Sequence, residues 1–375
     1  MNRSDDFEIY IHIPFCVRKC GYCDFLSFHA DEEIRESYVA ALLREIRSTG
    51  AEGDRKVSSV FLGGGTPSLL SPEQIRRIFL ALRGRFWLRE DAEITMEANP
   101  GTLDRKRLLE MKRCGVNRLS LGLQSADNRF LRILGRIHSF EDFLESYALS
   151  RECGFSNINV DLMFALPEQS RKDWEESLRK TALLGPEHIS AYSLMIEEGT
   201  PFASRSLILP DEDTEYAMYE DSSRILGEYG FEQYEISNYA RPGFSCRHNI
   251  GYWKRREYLG FGLGAASFFG GRRYANTRSM EKYLSRSSLE DIRENIQPVS
   301  REEAMEEFMF LGLRLTEGVS REDFFREFGC SMDRVYGPVL RKYLQNGFLI
   351  EEKDRIRLSR RGIHVSNTIL SDFIL

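Results

Sequence analysis

No stretch of the sequence approaches the roughly 20 consecutive apolar residues that a membrane-crossing helix requires. The run that comes nearest, residues 258–271, is shorter and is broken by five glycines, so no membrane span is expected. The opening MNRSDDFEIY has neither the basic start nor the apolar stretch of a secretory leader, which points to the cytoplasm. Positive charge is scarce: 52 Lys and Arg stand against 58 Asp and Glu, a net charge of −6. That balance gives no global attraction to nucleic acid, which is therefore an unlikely partner. A disulfide framework is also missing. The seven cysteines are an odd count; Cys114, Cys153, Cys246 and Cys330 stand singly, and the other three crowd into positions 16–23. In a cytosolic chain this distribution favours a metal site.

Hydrophobic residues at 42% and charged residues at 29% are ordinary for a soluble globular protein. The 375 residues exceed the ~250–300 at which single cores stop growing, so more than one domain is expected. From residue 8 to about 230, short β-branched or aromatic runs alternate with helical patterns. Strands are predicted over 8–13, 58–62, 93–97, 118–123, 157–164 and 188–195. Ile34, Tyr38, Ala41, Leu42 and Ile46 share one helical face, and Ser71-Pro72-Glu73-Gln74 reads as a capping box. This rhythm is that of successive βα units on a parallel sheet. About six units predict an α/β fold, a partial, three-quarter β/α barrel rather than the full eight. Cys16, Gly63–Gly65, Glu97, Gln124 and Asp161 all fall at or just after strand ends, which converge on one mouth. Residues 1–230 form the expected barrel. Residues 231–290, rich in Tyr, Phe and Gly, read as a joint covering its mouth. Residues 291–375 read as a mostly helical, winged-helix-like domain with Ser320 and Ser331 as N-caps and a hairpin about Asp354.

Cys16, Cys20 and Cys23 form a C-x3-C-x2-C loop directly after the first strand. Thiolates are the ligands of a [4Fe–4S] cluster, and this close spacing lets one loop wrap three corners of the cube. The fourth iron is left open to chelate the amino and carboxylate groups of S-adenosylmethionine, beside which an electron can cleave a C–S bond. A zinc site completed by His12 or His29 is the alternative, although zinc sites more often pair C-x2-C with a second pair downstream.

On this spacing the chain resembles the radical SAM superfamily. Tyr10-x-His12-x-Pro-Phe-Cys, the GGGTP run and the HNIGYW segment extend the resemblance over nearly the whole chain, to oxygen-independent coproporphyrinogen III dehydrogenases and to HemW-type heme chaperones. Glycines at 63–65 let bare backbone approach a ligand, although a generic turn would read the same way. The resemblance assigns Gly64, Gly65 and Thr66 to the methionine end of S-adenosylmethionine. Glu97 suits an ammonium or a ribose, while an exposed loop acid is the alternative. Gln124 and Arg136 suit ribose hydroxyls and a carboxylate. Asp161, an acid in an apolar strand, needs a partner or a function, and Arg136 is available as its ion-pair partner. By the family's pattern Gln124, Arg136 and Asp161 all serve the cofactor, and Tyr10 and Tyr22 line its pocket.

His248, in HNIGYW, is a candidate heme-iron ligand, because histidine is a natural axial ligand and flat aromatics pack on a porphyrin. A packed core histidine is the alternative, and Cys246 is a competing soft ligand. The dehydrogenases carry a further cysteine two positions beyond the third ligand, where this sequence has Phe25, and a longer segment before the cluster than the fifteen residues here. Both departures resemble the chaperones. The expected function is therefore a heme chaperone that holds heme, a [4Fe–4S] cluster and S-adenosylmethionine, with a heme-acceptor protein and a low-potential electron donor as partners. The alternative is an oxidoreductase acting on coproporphyrinogen III, so whether the chain is an enzyme stays open at this point.

Overall fold

The computed structural model describes residues 6–50 and 55–375; the first five residues of the segment read for a leader lie outside them. Six strands, β1 (Asp6–Ile13), β2 (Lys56–Gly64), β3 (Trp87–Ala98), β4 (Arg118–Gln124), β5 (Ile158–Phe164) and β6 (His188–Ser193), lie side by side in chain order, all parallel. β1 and β6 do not pair with each other, so the sheet curves without closing. Helices connect the strands, and their starts are set by local chemistry. At the helix Pro72–Arg85, the Ser71 hydroxyl accepts from the Gln74 amide while the Gln74 side chain accepts from the Ser71 amide. Two orphan helix donors are satisfied at once.

Residues alternate along each strand, and the alternation separates two environments. Phe7, Ile9, Ile11, Val60, Leu62, Ile94, Met96, Leu119, Leu121, Val160, Leu162 and Ile189 are fully buried in the main hydrophobic core. The opposite face is polar. In register across it run Glu8, Ser59 and Glu93, and further round Ser120, Asn159 and His188. The interior of this open barrel is therefore a polar chamber, unlike the packed apolar core of a closed one.

Later segments extend both edges. β8 (Asn238–Ala240) pairs antiparallel with β6, and β7 (Glu232–Gln233) antiparallel with β8, while β9 (Tyr258–Phe261) pairs parallel with β1 and leads into the antiparallel β10 (Ala266–Phe269), β11 (Arg272–Asn276) and β12 (Arg293–Pro298). The HNIGYW segment forms the helix Arg247–Trp253 and does not cover the mouth. It plugs the opposite end, the floor, where the parallel strands begin. The cause is a buried carboxylate: Glu93 accepts from the main-chain amides of Arg247 (3.0 Å) and His248 (3.1 Å) and faces the Cys246 thiol (3.4 Å). This helix has no side-chain N-cap of its own, and a negative group at its start satisfies donors that would otherwise be orphaned. Glu8 lies against the same helix, beneath Gly251.

The C-terminal part has its own hydrophobic core, running from Met305 to Phe373. It contains the helices Arg301–Gly312, Arg321–Phe328 and Met332–Gln345 and a small antiparallel sheet of Val319–Ser320, Leu349–Glu352 and Arg355–Leu358. Ser320 and Ser331 cap the second and third of these helices, and Lys353, at φ +54°, turns the hairpin. This part meets the barrel through the Thr316 amide on the Tyr234 carbonyl (3.0 Å), ion pairs of Arg255 with Glu307 and Glu327, and His364 on Glu220.

A Cβ at position 251 would stand 1.9 Å from Glu8 Oε1. The Gly251→Ala variant is expected to lose about 1–3 kcal/mol of stability through overpacking, read from the urea midpoint. Gly84→Ala, whose Cβ meets nothing within 4 Å, is the control and should be neutral or stabilising by up to about 1 kcal/mol. Equal midpoints for the two variants would contradict the floor packing described.

Candidate functional site

A cavity of about 740 Å³ opens at the carboxyl ends of the parallel strands and runs inward to the floor helix and the C-terminal part. The loop after β1 forms its rim. This loop is pinned at both sides: the Cys16 amide donates to the Phe28 carbonyl (3.0 Å), the Gly21 amide to the Leu134 carbonyl (3.2 Å), and the Phe202 amide to the Gly21 carbonyl (2.9 Å). Cys16, Cys20 and Cys23 are free thiols, partly exposed, and all line the cavity. Two donors already point at sulfur, Thr66 Oγ1 to Cys16 (3.6 Å) and Arg136 Nη1 to Cys20 (3.7 Å). Burial raises the Cys23 thiol above its ordinary pKa.

Among the described residues no three His, Cys, Asp or Glu side chains are gathered so as to hold one metal ion. A zinc ion needs its ligands on a single centre, whereas in an iron–sulfur cube each thiolate takes its own iron. The donor set fits the cluster. His12, the alternative zinc ligand, is committed elsewhere, with Nδ1 on the Tyr10 hydroxyl (3.0 Å) and Nε2 on the Leu26 carbonyl (2.8 Å).

Beside the thiols, Gly64 has φ +108°, and a Cβ there would strike the His12 ring at 2.3 Å, so only glycine lets this backbone pass. The Gly64 amide donates to Glu97 Oε2 (3.0 Å). Burial, with Asp161 nearby, pushes the Glu97 carboxyl up to about 8. Gln124 ends β4 at the positive φ of 73° and accepts from the Tyr192 hydroxyl (2.9 Å). Arg136 reaches the Gly122 carbonyl (2.7 Å) and Asn99 Oδ1, while Asn99 Nδ2 donates to Thr66 Oγ1 (2.7 Å).

The structure brings Cys16, Cys20, Cys23, Tyr22, Gly64, Gly65, Thr66, Glu97, Gln124, Arg136 and Asp161 to this one cavity. Tyr10 does not line it and stacks on Phe61 at 6.4 Å. The ion pair between Asp161 and Arg136 does not form. Asp161 accepts from Asn159 (2.7 Å) and Ser120 (3.1 Å) instead, because Arg136 is drawn to Cys20, Asn99 and Gly122. Burial keeps the Asp161 carboxyl above its usual range.

His248 lies apart, in the floor. It is 1% exposed, with Nδ1 on Ser59 Oγ (2.8 Å), Nε2 on the Tyr252 hydroxyl (3.0 Å), and its ring stacked on Phe61 at 5.2 Å. Burial, assisted by Arg118 and Arg256, holds it neutral with a pKa of about 3. Cys246 is fully buried, and burial pushes its thiol up to about 12, which disfavours the thiolate a metal needs. Sequence reasoning passed over Asn99, Arg118, His138 and Tyr192, all of which line the cavity. Asn99, directly after the strand that carries Glu97, was the one with a positional signal.

Residues 10–181 match the family model described as the Radical SAM superfamily, and residues 299–365 that of the HemN C-terminal domain. The heme chaperone HemW of Escherichia coli (strain K12) is 38% identical, the alignment covering all of both chains. That of Lactococcus lactis subsp. lactis (strain IL1403) is 36% identical over 98% of this chain and 97% of its own, and that of Bacillus subtilis (strain 168) 36% over 97% and 98%. Among solved structures, coproporphyrinogen III oxidase (HemN) from Escherichia coli superposes with a TM-score of 0.86 over 100% of this chain and 91% of its own, at 22% identity, which establishes the shared fold. With more than a third of its residues identical to these relatives from end to end, the chain belongs to the HemW family within the radical SAM superfamily.

Proposed function

We propose that this protein is a heme chaperone: it binds heme and passes it to an acceptor protein, carrying a [4Fe–4S] cluster and S-adenosylmethionine beside it. The observation that carries the reading is the end-to-end similarity to three proteins named as heme chaperones. Phe25, where the dehydrogenases hold a cysteine, favours it over coproporphyrinogen oxidation. The fold shared with HemN is neutral, since one fold hosts several activities. No helix among the described residues is long and apolar enough to cross a membrane, which accords with a cytoplasmic site of action, where a low-potential donor would reduce the cluster.

Cys16, Cys20 and Cys23 would ligate three irons, with Thr66 and Arg136 donating to the thiolates and thereby stabilising their charge. The cluster and S-adenosylmethionine together supply reductive C–S cleavage when both are bound. Gly64 and Gly65 leave room for the methionine end, Glu97 offers its carboxylate to the N–H groups of the amino group, and Gln124 and Asp161 face the rest of the molecule. Tyr22 lines the pocket, while Tyr10 acts through His12.

For heme iron, His248 is suited by its neutral state, and Ser59 beside Nδ1 would orient the ring. Its Nε2 is held only by the Tyr252 hydroxyl. Coordination through Nε2 requires that hydroxyl to leave and the floor helix to move.

Four outcomes test this reading. Anaerobically reconstituted protein should carry about four irons and four sulfides, lost on replacing Cys16, Cys20 or Cys23 and kept on replacing Cys114, Cys153 or Cys330. The same preparation should bind heme stoichiometrically, with Tyr252→Phe raising and His248→Ala lowering the affinity in a Soret titration. It should leave coproporphyrinogen III unconverted while a genuine dehydrogenase converts it in parallel; sustained conversion with an intact cluster would overturn the chaperone reading. Finally, Glu97, its carboxyl pushed up to about 8 by burial, should give up its proton when the amino group of S-adenosylmethionine donates its N–H groups to it. Calorimetry in buffers of different ionisation enthalpy should show proton release in the wild type and a smaller release in Glu97→Gln.

A further inference from the structure

The inner end of the cavity, away from the thiols, contains an imbalance between donors and acceptors. Arg118, the first residue of β4, is 2% exposed and lines the cavity. Its buried Nε has no hydrogen-bond partner among the described residues. Its charge is balanced at a distance by Glu93 and Asp161, but their oxygens are committed: Glu93 to the start of the floor helix, Asp161 to Asn159 and Ser120. An arginine has five N–H donors, and a buried donor without an acceptor costs on the order of 1–3 kcal/mol.

A second arginine lines the same end of the cavity from a different part of the chain. Arg314, just beyond the helix Arg301–Gly312, lies over the Trp253 ring with its guanidinium carbon 4.6 Å from the centroid. Its Nε is buried and unpaired, and so is Trp253 Nε1. Against these three orphan donors the neighbourhood offers two orphan oxygens, Asn238 Oδ1 and the Oγ1 of Thr95, which stands opposite Arg118 across β3 and β4. Two guanidinium groups with spare donors, inside a cavity, are the chemistry of a planar anion that accepts several hydrogen bonds.

We propose that the inner end of the chamber is a carboxylate-binding site, anchored by Arg118 and completed by Arg314, separate from the S-adenosylmethionine site at the mouth. Resting on the function proposed above, the carboxylate is a propionate of the heme; a small free carboxylic acid has the same chemistry. Because Arg314 comes from the C-terminal part, the site exists only when that part is docked on the barrel.

The test uses the full chain with its cluster reconstituted. Affinities for heme and for heme dimethyl ester, which lacks the charged carboxylates, are compared by absorbance titration, and thermal shifts are recorded with succinate. A charge-assisted pair contributes about 1.5–3 kcal/mol, so the wild type should prefer heme over its ester by about tenfold or more. Arg118→Gln and Arg314→Gln should reduce that preference towards one, with S-adenosylmethionine affinity unchanged in Arg314→Gln. Arg118 is deeply buried and its replacement can unfold the chain; Arg314, only half-buried, keeps the test valid. Succinate that stabilises the wild type but not Arg314→Gln, together with equal affinities for heme and ester, assigns the site to a small free acid and retains it. Heme bound without preference for the free acid, and no succinate effect, overturns the site while leaving the chaperone reading intact. A succinate effect without any heme binding does the reverse.

Discussion

The constraint on which the structure depends is that the inner face of six parallel strands must stay polar and still be paid for in hydrogen bonds. A closed barrel fills its interior with branched apolar side chains. Here the sheet remains open, and the interior holds Glu8, Glu93, Arg118, Asn159, Asp161 and His188, all of them in strands. Each of the acids is held differently. Glu93 caps a helix, Asp161 is held by a hydroxyl and an amide, and Glu8, its carboxyl pushed up to about 8 by burial, sits under a glycine with Arg256 3.3 Å away. Burial raises Glu8 and Glu97 to about 8 and lowers His188 and His248, so these four groups are neutral at pH 7 although all can titrate. An interior of this kind can exchange protons with a charged ligand at small cost, which an apolar core cannot do.

Much of this was legible in the sequence, because the signals were local. The alternation in FEIYIHI announces a strand with one apolar and one polar face. The cysteine spacing needs only a loop, and the observed strands reproduce the expected ones with differences at their ends. β3 begins at Trp87 rather than near 93, because its exposed first half lacks the apolar pattern that marks a buried strand. The capping serines were readable for the same reason, since a cap is completed within three residues.

What the sequence did not disclose depends on distant partners. The aromatic composition of HNIGYW suggested a cover for the mouth. Its place in the floor is dictated by Glu93, more than 150 residues earlier in the chain, and by the close approach of Glu8 to Gly251. Arg136 looked like a partner for Asp161 because both are charged, but the competing acceptors on Cys20, Asn99 and Gly122 are not visible as a linear pattern. Arg118 was invisible for the opposite reason. An arginine at a strand start usually reads as a solvated end, and only the closure of the floor by residues 247–253 buries it.

The pairing of β9 with β1 carries a consequence for the birth of the chain. β1 leaves the ribosome well before β2, which then covers one of its edges. Its other edge is paired by residues 258–261, so it stays bare until some 245 further residues have been added. An unpaired strand edge is a template for wrong pairing, and translation at about 5–20 residues per second leaves it bare for many seconds. Arrested nascent chains ending before β9 should therefore be held by cellular folding factors or aggregate, whereas chains extending past it can seal the barrel and leave the floor helix in place.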